Sequence, residues 1–274
     1  MVEQQSEVEI GIHASALRLL NAAGVRYVVA GAYALRHYTG VTRFTKDLDL
    51  FLIPGDVPRA LEVLRLGGFR TYVLSRHWLG KAKRGGYLVD LIYGFGGWRA
   101  AVDEGWLANS EPGTLNDVPV RFAPLEETAW MKAFVAHRER FDGADVLHLL
   151  RARSGSFDWQ RFLALFDDAW DLLFGYLLLY QFAYPSDRET VPSWVLDTLA
   201  ERLRQGGEPS AERVCRGTLL DRFSYLPDTS LWGYRDGREP FALAQGYRKG
   251  DLSADREEAL RFVAGGRIRP ARVA

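Results

Sequence analysis

Residues 47–53, Asp-Leu-Asp-Leu-Phe-Leu-Ile, constrain the fold more than any other stretch of this 274-residue chain. Successive strand side chains point to opposite faces, so Asp47 and Asp49 share one face while Leu48 and Leu50 share the other. The apolar residues of the run fix that register, because a slip of one residue would bury both carboxylates. Two carboxylates held side by side on a rigid strand repel each other, and a hard cation between them removes the repulsion. The strand therefore reads as part of a layered fold with one face in a core and the other presenting a metal site suited to phosphate chemistry.

The chain around it supports a mixed α/β arrangement. Helical spacing over residues 7–22 ends near Gly24, and residues 25–30 read as a buried strand. Gly31 opens a short helix through Tyr38, stopped by Thr39-Gly40. Pro54-Gly55-Asp56 is a turn, with Asp56 placed to cap a helix over residues 57–66. Residues 69–74, 87–93 and 118–122 are further strands. After Pro124 the signals become helical, over residues 125–139, 142–152, 158–183 and 193–204. From about Leu219 the periodicity fades, and residues 265–274 read as a basic tail. The expected organisation is a catalytic core over residues 1–123, a helical domain over 124–220, and an irregular C-terminal segment over 221–274.

Composition narrows the function without choosing it. The formal net charge is zero, which argues against a protein coated in positive charge for nonspecific nucleic-acid binding. At 47% hydrophobic and 13% aromatic, the chain has ample material for a packed core. Cys215 is the single cysteine and cannot form an internal disulfide, which favours a reducing compartment. No apolar run approaches the roughly 20 residues of a membrane span, and the acidic, polar N-terminus lacks a signal-peptide pattern. A cytoplasmic protein is the expectation. The five histidines (His13, His37, His77, His137, His148) lack the spacing of a zinc site. The tryptophans and tyrosines of residues 159–194 read as core.

Asp90 supplies a third carboxylate, inside the otherwise apolar Gly-Tyr-Leu-Val-Asp-Leu-Ile-Tyr. A charge buried there without a partner costs several kcal/mol. Convergence with Asp47 and Asp49 would give three ligands for two Mg²⁺ ions (or Mn²⁺), the arrangement used for in-line displacement at phosphorus. Asp90 would then accept the proton of an attacking hydroxyl. A strand ending in Gly31 and entering a helix at once lets backbone amides approach a phosphate. Arg43, Thr45 and Lys46 precede the carboxylates and are candidates for phosphate oxygens. Lys81, Lys83 and Arg84 are too, although solvent exposure accounts more simply for most of the basic stretch at 76–84.

Taken together, Gly-Ala-x-Ala-Leu, Arg-x-Thr-Lys-Asp-Leu-Asp-Leu-Phe and Val-Asp-Leu-Ile-Tyr resemble the nucleotidyltransferase superfamily that includes DNA polymerase beta. Within it, the chain is most similar to small bacterial proteins of the AbiEii toxin type and their relatives. Those carry a Lys on a helix after the core, then an Arg-rich turn and an Asp-x-x-Asp pair, matched here by Lys132, residues 138–140, Asp142 and Asp145. The resemblance covers roughly residues 25–150. It implies a metal triad of Asp47, Asp49 and Asp90, and nucleotide contacts at Gly31, Ala32, Lys132 and Asp142. It also implies Mg²⁺-dependent transfer of a nucleoside monophosphate from an NTP to an acceptor hydroxyl, with pyrophosphate released. The acceptor would be a tRNA end, a protein side chain or a small molecule, and a cognate antitoxin is a conceivable partner. One departure is Ala32, where the family has Gly or Ser; the backbone donor stays and a hydroxyl is lost. Two alternatives stand beside this reading: a catalytically silent nucleotide-binding regulator, and a phosphodiesterase or nuclease built on the same carboxylates.

Overall fold

The computed structural model describes residues 6–43, 45, 47–95, 99–206, 212–248 and 252. Lys46 and residues 265–274 lie outside the described residues. The first part runs α1 (Glu7–Ala22), β1 (Val28–Val29), α2 (Gly31–Thr39), β2 (Asp47–Phe51), α3 (Val57–Leu66), β3 (Arg70–Ser75), β4 (Leu79–Arg84) and β5 (Tyr87–Ile92). It continues with β6 (Gly94–Phe95), β7 (Ala100–Ala101), α4 (Glu104–Ala108), β8 (Glu111–Leu115) and β9 (Val118–Phe122). Seven strands form one mixed sheet in the order β3-β4-β5-β2-β1-β9-β8. The pairs β2–β5 and β1–β9 are parallel, and the other four are antiparallel.

Side-chain alternation sorts the two faces of the central strands. Leu48 and Leu50 of β2, with Val89 and Leu91 of β5, are fully buried in one apolar cluster with Leu17 and Leu20 of α1 and Leu64 of α3. The opposite face carries Asp47, Asp49 and Phe51, and beside them Asp90 and Ile92. Burial of the leucine face holds the carboxylate face toward the helices that follow.

Those helices are α5 (Leu125–Ala133), α6 (Gly143–Ala152), α7 (Trp159–Phe166), α8 (Trp170–Ala183) and α9 (Ser193–Arg204). They share a second apolar cluster with Val28, Leu35, Tyr38 and Phe51 of the first part. Beyond α9 come β10 (Val214–Cys215), α10 (Leu226–Ser230), β11 (Arg235–Asp236) and α11 (Glu239–Ala244), with β10 and β11 paired in parallel.

Four expectations need correction. The basic stretch at 76–84 contains a strand, β4, with Leu79 and Ala82 buried. The helix expected over 125–139 stops at Ala133 and turns into a tight hairpin. There the His137 amide donates to the Arg140 carbonyl at 2.7 Å and an Ala136–Phe141 bridge closes the loop. The helix expected over 158–183 breaks at Asp167, which has a φ of +41°. Two arginines take carbonyls there instead of the helix ladder: Arg99 bonds the Phe166 oxygen and Arg216 the Asp168 oxygen, both at 2.8 Å. The Asp56 side chain makes no capping bond to α3 and accepts from Arg26 Nε at 3.1 Å.

Candidate active site

Gly31 sits where the sheet, α2 and the carboxylate face meet. It begins α2 with a φ of +59°, a conformation that only glycine adopts without strain. The space beside it is taken: a Cβ on residue 31 would overlap Asp49 Oδ2 and lie 2.7 Å from Asp49 Cγ. A backbone bond from the Ala30 amide to the Asp49 carbonyl, 2.9 Å, locks the two segments together. No side chain caps the start of α2, so this helix end offers backbone donors and positive potential next to Asp49.

Register brings the three expected carboxylates onto one face. Asp49 is directly opposite Asp90 in the parallel β2–β5 pair, and Asp47 lies two residues before Asp49 on the same strand. Burial pushes the Asp49 carboxyl up to about 7, with the nearby charges of Asp90 and Asp47 adding to it and Arg140 and Lys132 opposing it. Among the described residues no donor is bonded to the Asp49 carboxylate. Asp90 is also raised by burial, held back by Lys81, whose Nζ donates to both of its oxygens at 2.8 Å.

A divalent cation fits the donor set of Asp47 and Asp49. They are hard oxygen ligands, and burial, with the neighbouring charges of Asp90 and then Asp47 adding to it, holds Asp49 above a carboxylate's ordinary range, a state that a bound cation relieves. Asp90 differs, because an ammonium already occupies both oxygens. Among the described residues no three acidic, histidine or cysteine side chains close into a metal cage.

A second charged cluster adjoins the first. Lys132 of α5, almost wholly buried, reaches Asp142 at 3.1 Å and Asp145 at 2.8 Å. Arg140 in the hairpin grips Asp142 with two donors at 2.9 and 2.8 Å. Arg43 donates to Asp145 at 3.1 Å. Burial works to raise the Asp142 carboxyl, and the Arg140 and Lys132 bonds overcome it and hold it down at about 2. Three cations against two carboxylates leave this cluster with surplus positive charge beside Asp49.

Between the clusters lies a cavity of about 450 Å³. Its lining includes Gly31, Asp49, Lys132, Arg140 and Asp142 together with the apolar Phe51, Ile92, Phe95 and Phe134. Leu219, Leu220, Asp221 and Phe223 of the C-terminal segment form a further wall. Nothing in the residue pattern signals that wall, because its residues follow no period. It is pinned by Asp221, whose carboxylate accepts from the Arg138 amide at 3.2 Å and the Phe223 amide at 2.9 Å.

Of the residues expected in the site, Gly31, Asp49, Lys132 and Asp142 thus share one cavity, and Asp47 and Asp90 flank Asp49 on the same face. Ala32 follows Gly31 in the first turn of α2. Arg43 is turned to Asp145, and Thr45 Oγ is engaged with the Asp47 backbone, donating to its carbonyl at 3.0 Å. Lys46 is outside the described residues. Sequence reasoning missed Lys81 as the partner of Asp90; Ala82 set between Lys81 and Lys83, followed by the Gly85-Gly86 turn, was the available sign of a strand and its hairpin.

No protein-family model matches the chain, and no curated protein matches it. Solved structures similar to it include the antibiotic-resistance factor ANT(2'')-Ia in solution. That match has 16% identity and a TM-score of 0.45, covering 65% of this chain and 100% of that one. A lincomycin-bound lincosamide antibiotic adenylyltransferase, LnuA, matches at 15% identity and a TM-score of 0.38, over 54% of this chain and 98% of that one. An antigenic nucleotidyltransferase-like protein from Paracoccidioides brasiliensis matches at 18% and 0.38, over 62% and 93%. At these scores the likenesses are distant.

Proposed function

We propose that this protein is a nucleotidyltransferase that moves a nucleoside monophosphate from an NTP to an acceptor hydroxyl, releasing pyrophosphate. The observation that carries the reading is the junction of Asp49 with Gly31: a half-buried carboxylate on a rigid strand, beside another carboxylate and an uncapped helix start, both lining one cavity. An anionic triphosphate needs donors and positive potential, which the start of α2, Arg140 and Lys132 supply. Asp47 and Asp49 would hold a divalent ion, which when bound neutralises charge on the phosphates and the attacking oxygen. Asp90, oriented by Lys81, is the carboxylate left to receive the hydroxyl proton. Asp142 keeps Arg140 and Lys132 aimed into the cavity. Arg43 and Thr45 would sit on the approach to the triphosphate.

Incubation of the protein and a cell extract with labelled NTPs tests this. Transfer of label from the α-phosphate but not the γ-phosphate, abolished by Asp49→Asn, is the expected result. Transfer of neither label would overturn it. One observation favours a second reading, a silent nucleotide-binding protein of the same fold: both oxygens of Asp90 are already occupied by Lys81. Such a protein would bind NTP and label nothing.

A further inference from the structure

Across the three strands β4, β5 and β2, one row of the carboxylate face reads Lys81, Asp90, Asp49. Lys81 is directly opposite Asp90 in the antiparallel β4–β5 pair, and Asp90 is directly opposite Asp49 in the parallel β5–β2 pair. The Lys81 ammonium lies 2.8 Å from each Asp90 oxygen, and the two side chains are only 14% and 12% exposed. Its position is set by sheet register, not by a surface loop, so the positive charge is a fixed part of the carboxylate face. Lys81, Asp90, Asp49 and Asp47 together carry two net negative charges when all are ionised. One divalent cation balances them. A second divalent ion on Asp90 would have to expel an ammonium from a nearly buried carboxylate, at the cost of leaving that ammonium without a partner.

We propose that the Lys81 ammonium is a built-in cation standing where a second divalent ion would otherwise sit, so that the protein binds a single divalent ion, on Asp47 and Asp49. Lys81 is then a positioning residue that orients Asp90. The inference rests on the nucleotidyl-transfer reading only in placing a divalent ion at Asp47 and Asp49.

Titration of the full chain with Mn²⁺ alone, following the electron paramagnetic resonance signal of the free ion, tests it. The wild-type protein is expected to bind one ion at this site, and Asp90→Asn to bind one as well. Asp49→Asn removes it. Lys81→Met frees Asp90 and raises the stoichiometry to two, and Lys81→Arg, which restores the charge, returns it to one. A lysine serving only to hold the strands together would leave the stoichiometry unchanged in Lys81→Met. Two ions in the wild type with one lost in Asp90→Asn would overturn the proposal, as would one ion in a folded Lys81→Met. If Lys81→Met fails to fold, the wild-type and Asp90→Asn counts decide. Two ions together with α-label transfer would remove this inference and leave the nucleotidyl-transfer reading; no ion and no transfer would remove both.

Discussion

Any side chain at residue 31 competes with the Asp49 carboxylate for the same space, and the backbone there is left-handed. Gly31→Ala therefore meets two penalties. The left-handed conformation costs a non-glycine residue about 1–2 kcal/mol, and the carboxylate must move off its position. A displacement near 1 Å in a reacting site costs on the order of 100-fold in rate. The expected outcome is a folded protein, with a urea midpoint modestly lowered, that has lost at least that factor of α-label transfer. Asp49 gives a pH prediction with a definite sign. Its folded carboxyl titrates at about 7, above its ordinary value, so the folded state holds a proton that the unfolded chain has released. That contribution is fully present below about pH 4 and is lost as pH rises through 7. Asn at this position mimics the protonated form, so Asp49→Asn should melt higher than wild type at pH 8, with the gap narrowing toward pH 5. Saturating Mg²⁺ should narrow the gap at pH 8 from the other direction. Thermal melts at the two pH values check both. The residue pattern alone announced Asp47, Asp49 and Gly31, because alternation and a glycine at a strand end are local. Lys81 went unread as the partner of Asp90 because residues 79–84 look like an exposed basic stretch; once they are taken as a strand, the two-residue Gly85-Gly86 turn pairs Arg84 with Tyr87 and so Lys81 with Asp90.

At the scale of elements, α5 and α6 are tied through Lys132. Its ammonium sits between Asp142, at the start of α6, and Asp145 in the first turn of that helix, all three side chains being at most 5% exposed. Lys132→Met strands two buried carboxylates with only Arg140 and Arg43 at their outer edges. Breaking a buried pair costs about 3–5 kcal/mol, and the remaining arginines place this variant near the lower figure, about 3 kcal/mol. Urea unfolding at pH 7 should register that loss, and the difference from wild type should shrink as pH falls toward 4 and the stranded carboxylates take up protons. The element boundaries show where sequence reading works. Residues 57–66, 118–122 and 193–204 form the expected elements at the expected limits, because each is bounded by a proline, glycine or polar turn. The helices over 125–139 and 158–183 were read too long, since apolar spacing continues through 134–135 and 166–170. What interrupts them is tertiary: the Arg140–Asp142 grip in the first case, and Arg99 and Arg216 on helix-end carbonyls in the second.

For the molecule as a whole, the change from alternating strands and helices to helices alone at Pro124 is a change of element type within a shared apolar core. Val28, Leu35, Tyr38 and Phe51 pack in one cluster with Trp130, Leu149, Phe166 and Leu219. Separating the segments before and after Pro124 would expose both sides of that cluster, so calorimetry should record one cooperative unfolding transition in place of two. The same integration reaches the C-terminal segment. Asp221 clips its own loop through the Phe223 amide and Ser224 Oγ, and clips the 137–140 hairpin through the Arg138 amide. That hairpin carries Arg140, whose guanidinium faces the cavity and holds Asp142. Asp221→Ala leaves the Arg138 amide without its partner, a loss of about 1–3 kcal/mol where the group stays buried, and it frees the wall formed by Leu219, Leu220 and Phe223. Hydrogen exchange should then accelerate in residues 136–142 and 218–224, while β2 and β5 retain wild-type protection because their register is held from the leucine face. If the hairpin aims Arg140 at a triphosphate, NTP affinity should fall in the same variant while Mn²⁺ binding at Asp47 and Asp49 stays intact. Unchanged exchange in the hairpin, or loss of Mn²⁺ binding together with NTP binding, would show that the C-terminal segment does not act through Arg140.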